Sequence, residues 1–123
     1  MKRLNRLALL IAFCALPFAA FASGDHDHET VTVKGEVLDM SCYIAHGAKG
    51  EDHVGCAKKC VKGGQPMGLL AADGTVYLLY AGHDDASPYE KTKDFAGQQV
   101  EVTGKAATKA GIKGLEVRGV KAI

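Results

Sequence analysis

The stretch VYLLYAGHDDASPYEKTKDFAGQQVEV, residues 76–102, decides the fold. Its apolar opening, Val76 to Tyr80, reads as a strand, and Ala81 to Ser87, with Gly82, His83, Asp84 and Asp85, as a loop. Ser87-Pro88-Tyr89-Glu90 then reads as a helix start. Ser87 supplies a cap, Pro88 suits the first turn, where its missing N–H costs nothing, and Glu90 closes a capping box. The helix is expected over Pro88 to Phe95, ending near Ala96-Gly97. A further strand over Gln99 to Ala107 carries Val100 and Val102 on one face.

Working outward, Leu69-Leu70-Ala71 and Val76 to Tyr80 flank Asp73-Gly74, a strong hairpin signal. Tyr77 to Tyr80 run without alternation, which predicts a strand covered on both faces. Upstream, Val31 to Met40 alternates as a half-buried strand does, and Gly35 marks a bend or bulge. Downstream, Lys109-Ala110-Gly111 turns the chain into a last strand, Ile112 to Ile123, with Leu115, Val117, Val120 and Ile123 as apolar contacts. This order predicts a mainly β (α+β) fold, a five-stranded antiparallel OB-like barrel. One helix is inserted after the first strand and another lies between the third and fourth. An open α+β sheet of the same elements is the alternative. About a hundred residues build one modest core and no second domain.

The inserted segment holds the chemistry. Cys42 to Cys60 contains three of the four cysteines and two of the five histidines, His46 and His53. Glu51 and Asp52 at one end, Lys58, Lys59 and Lys62 at the other and Gly63-Gly64 beyond are the charge order of a short helix, expected over Asp52 to Lys62. On it His53, Cys56 and Cys60 fall at i, i+3 and i+7 and share a face. Cys42 is expected at the end of the preceding strand, folded back by the loop Gly47 to Gly50. The result is a Cys3His set suited to one soft or borderline metal per chain: zinc, copper(I) or an iron–sulfur cluster. His46 is a substitute ligand, and Met40 and Met67 flank the set with thioether sulfur.

Two other readings of these residues stand beside that one. A disulfide from Cys42 to Cys56 or Cys60 would staple loop to helix. Alternatively, Cys56, near a helix start, would attack as a thiolate with Cys60 or Cys42 resolving, although Cys-x-x-x-Cys is not the thioredoxin spacing. A further alternative is a module that binds a ligand or partner through Tyr77, Tyr80 and Tyr89. Ser41, Ser87, Asp84 and Asp85 form no nucleophile–base arrangement, so a hydrolase is not supported and a non-enzymatic role is expected.

Met1 to Ala22 reads as a signal peptide. Lys2, Arg3 and Arg6 precede the apolar run Leu7 to Leu16, and Ala20-Phe21-Ala22 is a small-x-small cleavage site. Cleavage removes Cys14 and leaves three thiols in a periplasmic or secreted chain, an odd count in an oxidising compartment. It also takes the formal charge from +1 to −2, which points away from nucleic acid and anionic membrane. No membrane span is expected after signal removal, and the expected partner is a periplasmic protein or small ligand. Residues 23–30 are expected to be a polar mobile tail, in which His26 and His28 offer weak metal donors. The remaining residues, 31–123, form the OB-like domain.

Val33-Lys34-Gly35-Glu36-Val37-Leu38-Asp39-Met40-Ser41-Cys42, His53-Val54-Gly55-Cys56-Ala57-Lys58-Lys59-Cys60 and Gly64-Gln65-Pro66-Met67-Gly68-Leu69 together resemble a group of small exported bacterial proteins. That group carries a Gly-x-Val-x-Asp-x-x-Cys strand, a His-x-x-Cys-x-x-x-Cys segment and a Gly-x-Pro-x-Gly-Leu turn. Val100 to Lys105 likewise resembles the later strands of bacterial OB-fold domains. The resemblance spans most of the mature chain and implies the fold. It implies no reaction.

Overall fold

The protein is described by a computed structural model covering residues 29–123. The expected signal peptide, Cys14, His26 and His28 lie outside the described residues. Five strands form one closed barrel: β1 (Glu29–Asp39), β2 (Met67–Ala71), β3 (Val76–Ala81), β4 (Gln99–Lys109) and β5 (Ile112–Ala122). They run around it in the order β1-β2-β3-β5-β4. Three helices decorate it: α1 (Met40–His46), α2 (Val54–Lys62) and α3 (Ser87–Thr92). This is the OB-like barrel, with helices after the first strand and between the third and fourth.

One pairing departs from the antiparallel expectation. β3 and β5 are parallel, Leu79 opposite Leu115, and this contact closes the barrel. The sheet is therefore mixed, and closure leaves it no open edge. β1 begins at Glu29, two residues inside the segment expected to be tail, because Glu29 and Thr30 pair with Ala106 and Lys105.

Strand β1 serves two neighbours. Glu29 to Glu36 pair with β4, and Gly35 to Asp39 pair with β2. The handover falls at Gly35, where a Cβ would collide with the Leu70 carbonyl; close backbone approach, rather than a bulge, explains this glycine. The first half of β1 alternates between half-buried Val31 and Val33 and exposed Thr32 and Lys34. From Gly35 to Asp39 every residue is buried, since the inserted segment packs against this half.

The barrel core joins Val37, Leu69, Leu79, Val100, Val102, Leu115 and Val117. Helix α2 adds Ala57 and Val61 from its inward face, spaced i, i+4. At its start Val54 packs on Gly97, whose φ of 77° and lack of a Cβ permit the close approach. β3 is covered less than expected: Leu79 is buried, but Leu78 is 38% exposed. Tyr77 and Tyr89 are half-buried and pack against the core, and Tyr80 is half-buried as well, so the three tyrosines do not form an exposed face.

Helix α3 begins at Ser87 itself. Its cap is supplied from two residues upstream, where Asp85 Oδ1 accepts the Ser87 N–H at 2.9 Å. Glu90 pairs instead with Lys93 at 2.7 Å, and a 3-10 turn, Lys93–Phe95, continues the helix.

Candidate metal centre

The inserted segment starts with a helix where strand was expected. β1 ends at Asp39, and Cys42 sits in the first turn of α1. Asp39 is the cap: its Oδ1 accepts the N–H of Ser41 at 3.0 Å and of Cys42 at 3.4 Å. Gly47, at φ 67°, ends the helix, with Gly47 N–H bonded to Tyr43 O at 2.8 Å and Ala48 N–H to Cys42 O at 3.4 Å. Ser41 is engaged in packing the insertion, since its Oγ donates to Gln65 Oε1 and the neighbouring Met40 N–H donates to Pro66 O at 3.0 Å.

The second limb is fixed from the same strand. Glu36, 7% exposed, accepts the Gly50 N–H through Oε1 at 2.6 Å. Gly50 in turn accepts the His53 N–H at 3.0 Å, closing the 3-10 turn Glu51–His53 that leads into α2. Two buried carboxylates of β1 thus hold the two limbs, Asp39 the one with Cys42 and Glu36 the one with His53.

The limbs bring the thiols and imidazole together. The ligand atoms of Cys42, His53 and Cys56 all lie within 4.8 Å of one another, and so do those of Asp39, Cys42 and Cys60. Cys56 Sγ and Cys60 Sγ are 3.9 Å apart. The three thiols therefore form a triangle of their own. Cys42 is the hub of a fan, with His53, Cys56, Cys60 and Asp39 along its rim. All three cysteines are free thiols; Cys56 is exposed, and Cys42 and Cys60 are half-buried. Two buried polar atoms among these residues have no hydrogen-bond partner: His53 Nε2 and Asp39 Oδ2.

Asp39 also sets the electrostatics. Its carboxylate, hydrogen-bonded to the thiol and aided by burial, holds Cys42 in the protonated form, its pKa pushed up to about 12. Burial first, then the bond to Asp39 and the neighbouring Cys56, raise Cys60 as well. For Asp39, burial acts upward, but bonds from the Cys42 and Cys60 thiols and the Cys42 and Ser41 amides outweigh it and leave the carboxyl below 3.8.

Cys42, His53, Cys56 and Cys60, the four residues singled out by spacing, are thus adjacent. Asp39 is a fifth that the spacing argument passed over. His46 is exposed in the last turn of α1. The Met40 thioether packs over Gly68, and Met67 is fully buried in the core. This is a Cys/His/Asp cluster compact enough to hold a metal ion.

No protein-family model matches the chain, and neither a curated protein nor a solved structure matches it. Among the described residues no helix is long and apolar enough to cross a membrane.

Proposed function

We propose that this chain is an exported, periplasmic metal-binding protein with no catalytic role, whose ligands are Cys42, His53, Cys56 and Cys60. The observation that carries the reading is the Cys56–Cys60 Sγ separation of 3.9 Å within the Cys42 fan. Thiolates ~2.3 Å from a tetrahedral zinc stand about 3.8 Å apart, so the two sulfurs are as close as metal-bound thiolates come. The buried, partnerless His53 Nε2 supports it, because such an atom costs about 1–3 kcal/mol unless something binds it.

Zinc is the ion the donor set favours. Three thiolates with an imidazole are a zinc-type set, and the carboxylate beside them suits zinc better than copper(I). Iron–sulfur clusters prefer four thiolates, and this segment has three.

The thiol–disulfide alternative is less well supported. The pKa values of Cys42 and Cys60 are raised, Asp39 contributing to both, and a protonated thiol is a poor nucleophile, which disfavours both as the resolving thiol.

The test compares the metal content of wild type and Cys56→Ser, both purified from the periplasm without chelator. Metal in the wild type that falls in Cys56→Ser supports the reading. Equal, near-zero metal in both, with a Cys42 disulfide in the wild type, would replace the metal centre with a structural staple.

A further inference from the structure

We infer that the fan is a two-ion site in which Asp39 is a fifth donor and Cys42 Sγ bridges; this rests on the metal-binding reading above. One ion would take Cys42, His53 and Cys56, and the other Asp39, Cys42 and Cys60. These are the two groups whose ligand atoms lie within 4.8 Å of one another, and Cys42 is the member they share.

The fan has three facets. A single ion held by the three thiols and His53 leaves the Asp39 corner bare, and one held by the thiols alone leaves the His53 corner bare as well. Those corners are the two residues that carry a buried polar atom without a partner, His53 and Asp39. An ion on each outer facet occupies both. The 3.9 Å between Cys56 and Cys60 then separates terminal thiolates on adjacent ions.

Charge favours the same arrangement. Three thiolates and one carboxylate carry four negative charges, so a single divalent ion leaves two uncompensated. Asp39 is 1% exposed and belongs to none of the ion pairs among the described residues. A buried carboxylate beside an excess of thiolate charge is costly, whereas two divalent ions neutralise the set. Oxygen, nitrogen and sulfur donors together select a borderline divalent ion of the zinc class.

Zinc itself is the probe. The full chain, reduced and stripped of metal, is titrated with zinc against a chromophoric chelator, and the stoichiometry is confirmed by native mass. Zinc that survives alkylation of the thiols is subtracted as binding elsewhere, including at His26 and His28. The wild type is expected to bind two thiol-dependent zinc ions. Asp39→Asn and Cys60→Ser are each expected to bind one, and Cys42→Ser none. Asparagine retains a cap for α1, so a loss in Asp39→Asn reports the missing ligand rather than unfolding. A circular dichroism melt checks each variant. Saturation at one ion in the wild type, or two ions retained by Asp39→Asn, would overturn the two-ion site and leave the metal-binding reading standing. Absence of any thiol-dependent zinc would remove that reading itself.

Discussion

The Asp39 carboxylate accepts the backbone N–H of Cys42 at 3.4 Å and raises the pKa of the thiol on the same residue. One side chain therefore fixes both the main chain and the protonation state of the cysteine at the hub of the site. The two roles separate by substitution. Asp39→Ala removes the cap and is expected to destabilise the metal-free protein by about 1–2 kcal/mol, while Asp39→Asn costs less because asparagine also caps. Urea melts of the two variants at neutral pH check the order. A larger loss for Asn than for Ala would show that the cap is not what Asp39 supplies to stability.

The pH dependence of the metal-free protein follows from the thiols. Cys42 has a folded pKa pushed from 9.0 to about 12, and Cys60 is raised as well. A thiol whose pKa is raised on folding contributes stability that is fully present below its unfolded value and lost as pH rises through the folded one. The thermal midpoint of the reduced, metal-free protein is therefore expected to fall progressively between about pH 9 and pH 12. Cys42→Ser should flatten that decline. A midpoint that rises with pH across this window contradicts the Asp39–thiol coupling.

The parts of this architecture that rest on local chemistry were legible in the residues. Asp73-Gly74 marked the hairpin, Pro88 the third helix, and the i, i+3, i+7 spacing the shared face of His53, Cys56 and Cys60. What escaped was tertiary. The parallel β3–β5 pairing depends on closure of the barrel, which periodicity does not encode. The first helix was hidden because Val37-Leu38-Asp39-Met40 continues the strand's apolar pattern, although Asp39 as cap and Gly47 eight residues on were its signal. Reading Asp39 as a cap would also have placed a carboxylate beside Cys42. The lack of alternation in Tyr77 to Tyr80 suggested burial on both faces, yet Leu78 faces solvent.

Ligand substitutions are expected to be graded. Cys56→Ser removes a rim thiolate that no neighbouring sulfur replaces, and zinc binding on the facet it shares with Cys42 and His53 should be lost. His53→Ala should weaken zinc binding by a smaller factor, since water can take the vacated position. Competition against a chelator of known affinity ranks the two. A His53→Ala loss as large as that of Cys56→Ser would show that the imidazole is indispensable to the site.

The bond between Glu36 and Gly50 offers the most specific test of how the site is held. Glu36 lies on β1, outside the fan, and among the described residues its side chain is hydrogen-bonded to the Gly50 N–H at 2.6 Å. Gly50, at φ 82° and ψ −174°, occupies a region open to glycine alone, so the loop has one way to enter the turn that carries His53. A hydrogen bond to a charged acceptor contributes about 1.5–3 kcal/mol, and Glu36→Ala is expected to lose that much stability. Glu36→Gln keeps an acceptor and should lose less. Because the three thiols reside on α1 and α2 and the freed loop leads directly to His53, Glu36→Ala should mimic His53→Ala in zinc affinity. The double variant Glu36→Ala/His53→Ala should then be little weaker than either single one. Additive losses in that cycle would show that Glu36 affects the site independently of His53, and that His53 is positioned by α2 without help from the loop.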